Sequence, residues 1–99
     1  MKIRFSTKEW NCRLKWLTYG NGNIALVASD MEGGSTVGIL SVNTPEILPS
    51  DCVAIKDYSE NEGVLKSLIA NGVVGEPEYY IPSGFVQIPV CVIKNKKEW

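Results

Sequence analysis

Near the start of the chain, apolar and polar side chains alternate one by one. Ile3 and Phe5 alternate with Lys2 and Arg4, then Trp10, Cys12, Leu14 and Trp16 alternate with Asn11, Arg13 and Lys15. A period of two sends successive side chains to opposite faces, so these segments read as two strands with one dry and one wet face. Trp10 and Trp16 are expected in the core. Tyr19-Gly20-Asn21-Gly22-Asn23 follows, and its Asn-Gly pair supplies the positive φ angles of a tight hairpin leading into Ile24–Ala28. A second turn at Asp30–Gly34 leads to Thr36–Val42, giving an N-terminal antiparallel meander. In that last strand Val37 and Ile39 point one way, and Leu40 and Val42 the other. The switch near Gly38 predicts a bulge or a strand covered on both sides.

The second half is punctuated differently. Pro45 and Pro49 flank a loop, because neither can donate to a sheet ladder, and Cys52–Ile55 is a short strand beyond it. One helix is expected at about 60–71, opened by a Ser59/Glu62 capping box and carrying Val64, Leu65, Leu68 and Ile69 at helical spacing. Asn71-Gly72 closes it, with Gly72 left-handed and Val73 covering the last turn. About three turns do not hold together alone in water, so the apolar stripe must lie on the sheet. Gly63, read as an interior helix residue that costs about 1 kcal/mol against alanine, implies close approach by the Pro82-Ser83-Gly84-Phe85 loop or by a partner. Tyr79–Ile81 and Phe85–Ile93 read as further strand, with Pro89 at an edge or a bulge. The closing Lys94–Trp99 run is expected to be a solvated basic end. The fold class is therefore α+β: a mainly antiparallel sheet of about five to seven strands with one short helix packed on it.

All 99 residues are expected to form a single domain. A chain of this size buries only about two thirds of the surface it exposes when unfolded, which leaves no room for a second core or a cleft between domains. It contains no histidine, so Ser-His and Cys-His nucleophile pairs and histidine metal ligands are excluded. Carboxylate pairs such as Glu60/Glu62 lack any accompanying metal-ligand motif, and the expectation is a non-enzymatic protein with neither cofactor nor metal. Cys12, Cys52 and Cys91 are odd in number, widely spaced and set among apolar residues, as buried free thiols of a reducing, cytoplasmic compartment would be. No signal-like leader and no apolar run of membrane-spanning length is present, so no membrane partner is expected.

A formal net charge of −1 conceals an uneven layout, with basic residues early and acidic residues in the middle. The most polar stretch is Lys56-Asp57-Tyr58-Ser59-Glu60-Asn61-Glu62-Gly63, directly ahead of the helical stripe. Part of it serves capping, since acidic side chains near a helix N-terminus each contribute about 0.3–1 kcal/mol when exposed. Asp57, Tyr58, Ser59, Glu60, Asn61 and Glu62, together with Ser83 and Phe85, are the candidate partner-binding residues. Three carboxylates within six residues would repel phosphate there. The basic alternative is the face bearing Lys2, Arg4, Arg13 and Lys15, interleaved with aromatics as on a nucleic-acid platform, though any half-exposed sheet alternates in this way.

The run Ile55–Gly63, followed by Asn71-Gly72-Val73-Val74, Glu76-Pro77 and Pro82-Ser83-Gly84-Phe85-Val86-Gln87-Ile88-Pro89-Val90-Cys91, resembles a family of small proteins encoded by bacteriophages, plasmids and integrated mobile elements. The resemblance covers about the last half of the chain and carries no activity or catalytic residue with it. It implies action inside a bacterial host by stoichiometric binding. The leading expectation is an inhibitor of host defence of the anti-CRISPR kind, whose acidic helix-start surface contacts a host defence protein or nuclease complex. The alternatives are an oligomeric sponge for a small nucleotide signal, with subunit-interface pockets lined by Tyr58, Asn61 and Ser83, and a nucleic-acid-binding regulator using the basic strands.

Overall fold

A computed structural model describes residues 1–96. Seven strands and one α-helix run in the order β1 (Lys2–Phe5), β2 (Lys8–Thr18), β3 (Ile24–Asp30), β4 (Thr36–Ile39), β5 (Cys52–Ala54), α1 (Val64–Ala70), β6 (Val74–Ser83) and β7 (Val86–Ile93). A single 3-10 turn, Ser59–Asn61, precedes α1. β1-β2-β3-β4 form one antiparallel sheet in sequential order, the expected meander, and β5-β7-β6 form a second. This is the expected α+β class. Among the described residues no helix is long and apolar enough to cross a membrane. Lys97, Glu98 and Trp99 of the basic end lie outside the described residues.

The alternation read from the sequence places Ile3, Cys12, Leu14, Leu26 and Ala28 on the buried face of the first sheet. They pack with Val53, Ile55, Cys91 and the helical Val64 and Leu68 in the main core. Each large aliphatic side chain taken fully out of water there contributes about 1.5–3 kcal/mol. A smaller cluster of Cys52, Ala54, Ile88, Val90 and Leu48 occupies the other face of the second sheet. The loop bearing Leu48 is held by Asn23, a buried side chain whose Oδ1 accepts from Leu48 N at 2.9 Å and whose Nδ2 donates to Glu46 O at 2.8 Å. Beyond β4 the chain crosses to the second sheet. Ser41 bridges Ile55, Val42 N donates to Ala54 O at 3.0 Å and Lys56 N donates to Leu40 O at 2.8 Å.

Several local expectations need correction. Trp10 is 40% exposed: it is paired with the buried Ile3, but its ring borders a groove beside β4 instead of being enclosed by the core. The first hairpin is closed by a longer connection, with Tyr19 N on Asn23 O at 2.8 Å, and only Gly22 of the Asn-Gly pair takes a positive φ. Pro89 lies on the central strand β7. Its carbonyl still accepts from Ile55 N at 3.0 Å, and its missing N–H falls just past the last β5 pair, Ala54 with Val90, so one bond is lost at the end of that ladder. The irregularity expected near Gly38 is present as a bulge, since Ala28 pairs with Gly38 and Ser29 with Thr36, leaving Val37 as the extra residue.

The helix start differs most. No Ser59/Glu62 capping box forms: Ser59 is in the 3-10 turn at φ 58°, and Gly63 is the residue preceding the helix, at φ 99°. Asp57 supplies the cap, its Oδ1 accepting from Gly63 N at 3.1 Å and Leu65 N at 2.9 Å. Gly63 therefore meets a left-handed turn outside the helix, and its close neighbour is Arg4, 3.4 Å from where a Cβ would stand, in place of the Pro82–Phe85 loop. The C-terminus matches expectation: Gly72 at φ 73° donates to Ile69 O and Val73 N to Leu68 O, a Schellman closure. The helix seals the outer edge of β1 as well as burying Leu68. Arg4 N donates to Ser67 Oγ at 3.0 Å, Ser6 N to Glu62 O at 2.6 Å and Asn71 Nδ2 to Lys2 O at 3.3 Å.

Candidate binding groove beside β4

After pairing with residues 40–42, the chain peels away at Asp57, whose carboxylate is occupied by the helix cap. Its departure leaves a groove of about 800 Å³ between β4 and the 56–61 segment. β4 forms one wall; Lys56, Tyr58, Glu60 and Asn61 form the other; Phe5, Trp10 and Tyr19 add aromatic surface. Tyr19 is fixed by a 2.9 Å hydrogen bond between its hydroxyl and that of Ser41.

The sequence-selected residues divide. Tyr58, Glu60 and Asn61 line the groove, Asp57 is the helix cap, and Ser59 and Glu62 are exposed without lining it. Ser83 and the fully exposed Phe85 lie at the β6–β7 turn and do not join this cavity; the pocket read from Tyr58, Asn61 and Ser83 is one between subunits, and within one chain only Tyr58 and Asn61 line the groove. Lys2, Arg4, Arg13 and Lys15 do share one exposed face of the first sheet, but Glu9 sits opposite Arg4 and Asn11 opposite Lys2 on that face, which dilutes its charge. Lys56, Phe5, Trp10, Tyr19 and β4 were not selected from the sequence as binding residues. Their convergence depends on strand order, and the one local signal was Trp10 at the end of an alternating run.

Asn61 is the most constrained polar group in the groove wall, at 3% exposure. Its Nδ2 donates to Ile39 O at 2.8 Å, and because a carbonyl accepts only from the NH2 end, Oδ1 is the atom left over. That oxygen has no partner among the described residues. Lys56 pairs with Glu60 four residues on and lies 5.5 Å from the Tyr58 ring centroid. The Lys56 ammonium, with the Glu60 backbone and Ser59 hydroxyl assisting, holds the Glu60 carboxyl down at about 2. With Asp30 at one end, the groove carries two carboxylates against one ammonium that is already paired.

The three cysteines are free and buried. Burial pushes all three thiols up, Cys91 to about 12, so they stay protonated near neutrality and are poor nucleophiles. Comparison of the chain with protein-family models, with curated proteins and with solved structures found no match.

Proposed function

We propose that this is a non-catalytic protein acting by stoichiometric binding, with the groove beside β4 as its contact site, Glu60 in its wall and the exposed Glu62 two residues further along the chain. The observation that carries this reading is the convergence of exposed apolar surface on the groove: Trp10 at 40% and Ile39 at 52% exposure, together with Tyr19 and Tyr58, in a concavity sized for a few side chains. Aromatic anchors in a pocket with a polar rim are where interface energy concentrates. The resemblance of residues 55–63 and 82–91 to mobile-element proteins supplies the class of partner, a bacterial host defence protein, for which an acidic rim competes with nucleic acid.

The nucleotide-sponge alternative has the volume of the groove in its favour and its charge against it. The one lysine is neutralised by Glu60, leaving no cation for a phosphate. The nucleic-acid alternative rests on the diluted basic face.

The test is recovery of a stoichiometric partner on the tagged chain expressed in a bacterial host. Tyr58→Ala or Trp10→Ala should each reduce the recovered partner about tenfold, as loss of an aromatic anchor does. Glu60→Lys with Glu62→Lys should weaken it in a salt-dependent way. Undiminished recovery with all of these variants would remove the groove from the account, and release of a stoichiometric ultraviolet-absorbing ligand on denaturation would favour the sponge.

A further inference from the structure

The groove is the vacant continuation of a strand position. Residues 54–56 run antiparallel to residues 40–42, and the lane they occupy continues alongside β4, where no strand follows. Hydrogen bonding along an antiparallel pair alternates, so the side to which each β4 residue directs its backbone can be read. Leu40 N donates to Leu26 O at 2.8 Å, while its carbonyl turns the other way to accept from Lys56 N, and Asp30 N donates to Ser35 O at 2.7 Å. These bonds flank the pairs Ile39 with Val27 and Thr36 with Ser29, which makes those the non-bonded pairs of the β3–β4 ladder. Ile39 and Thr36, the adjacent residues, therefore direct their own N–H and C=O groups into the groove. Ile39 O is met by Asn61 Nδ2, a side-chain amide standing where a neighbouring strand's N–H would stand. Among the described residues Ile39 N–H has no acceptor, and Asn61 Oδ1 offers an acceptor in the same groove wall.

Resting on the binding function proposed above, we infer that the groove takes an extended peptide segment of a partner protein by strand addition to β4. Main-chain groups of the segment bond Ile39 N–H and Asn61 Oδ1, and its side chains meet the aromatic walls. The bulge at Val37 keeps the ladder short, so side-chain burial against Trp10, Phe5 and Tyr58 must supply the rest of the affinity. Charge states the partner's chemistry: with Asp30 and Glu60 against a paired Lys56, the segment is apolar at its centre, free of acidic and phosphorylated residues, and carries a lysine or arginine at an end.

A displayed library of random dodecapeptides, selected on the full chain, tests this. Apolar peptides with a basic flank should be enriched and acidic ones depleted. In amide hydrogen exchange the Ile39 N–H should be open in the free chain and slowed about tenfold or more by a selected peptide at saturation. Ile39→Pro, which deletes the N–H turned away from β3, should weaken that peptide about fivefold to tenfold, as loss of one hydrogen bond does, while the far-ultraviolet spectrum stays unchanged. If Ile39→Pro fails to fold, the exchange of Ile39 in the original chain decides alone. Peptides that bind without protecting Ile39 would overturn strand addition and leave groove binding standing. Failure to enrich any peptide would overturn the peptide class even where a host partner is recovered. Self-association that Phe85→Ser abolishes, with the β6–β7 turn of a second copy in the groove, would overturn the foreign segment as occupant.

Discussion

The two outer strands of the first sheet are treated in opposite ways. The free edge of β1 is closed by groups drawn from the helical region: Ser67 Oγ for Arg4 N, Glu62 O for Ser6 N and Asn71 Nδ2 for Lys2 O. The free edge of β4 receives one side-chain amide, from Asn61, and otherwise borders an aromatic groove. An unpaired edge is a standing invitation to association, and small proteins commonly blunt it. β6, the outer strand of the second sheet, is blunted by Pro77 and Pro82, Glu76 and Glu78, and two register shifts. Two edges guarded by different means and a third left open beside Trp10 and Tyr58 mark β4 as the edge on which a partner acts.

Substitutions sharpen this contrast in order of expected effect. Leu68→Ala empties a fully buried position beneath the helix that seals β1, and should lower stability by about 2–5 kcal/mol in urea titration. Asp57→Ala deprives Gly63 N and Leu65 N of their acceptor and should cost about 1–2 kcal/mol, with Ser59→Ala far milder because Ser59 makes no capping bond. Ser67→Ala should cost about 0.5–1.5 kcal/mol and accelerate exchange of the Arg4 amide, while Ile39→Thr on the open edge should leave stability within about 0.5 kcal/mol. An equal loss from Ile39→Thr would break the contrast.

The smallest effect is electrostatic. Because the Glu60 carboxyl is held at about 2, below its unfolded value, its pairing with Lys56 contributes fully above the unfolded carboxylate range and is lost as pH falls through about 2. The pair is exposed, so the stability change is small. Lys56→Met should instead be seen as a rise of the Glu60 titration midpoint toward the ordinary carboxylate range in side-chain carboxyl NMR.

Sequence reasoning reached what short-range periodicity encodes. Alternation located β1 and β2 and the buried Ile3, Cys12 and Leu14; Asn71-Gly72-Val73 located the helix end; Gly38 pointed to the bulge. It placed Tyr58, Glu60 and Asn61 among the candidates and assigned the cap to Ser59, because Ser-x-x-Glu spacing is a local pattern whereas the reach of Asp57 to Leu65 N requires the intervening 3-10 turn and the left-handed Gly63. The groove was beyond such reasoning. It exists because a chain segment leaves β4 after residue 56, and Trp10, Tyr19 and Ile39 come together only through the order of the strands. Conversely, Ser83 and Phe85 stood close to the acidic segment in the sequence argument and are placed elsewhere by the β6–β7 hairpin.

Amide hydrogen exchange of the free chain, read at Arg4 and Ile39 in one experiment, addresses the contrast between the edges most directly. Arg4, bonded to Ser67 Oγ, should be protected, and Ile39, facing the groove, should exchange close to the rate of an unstructured amide. Protection of Ile39 equal to that of Arg4 would mean that the β4 edge is closed in the monomer and would contradict the account.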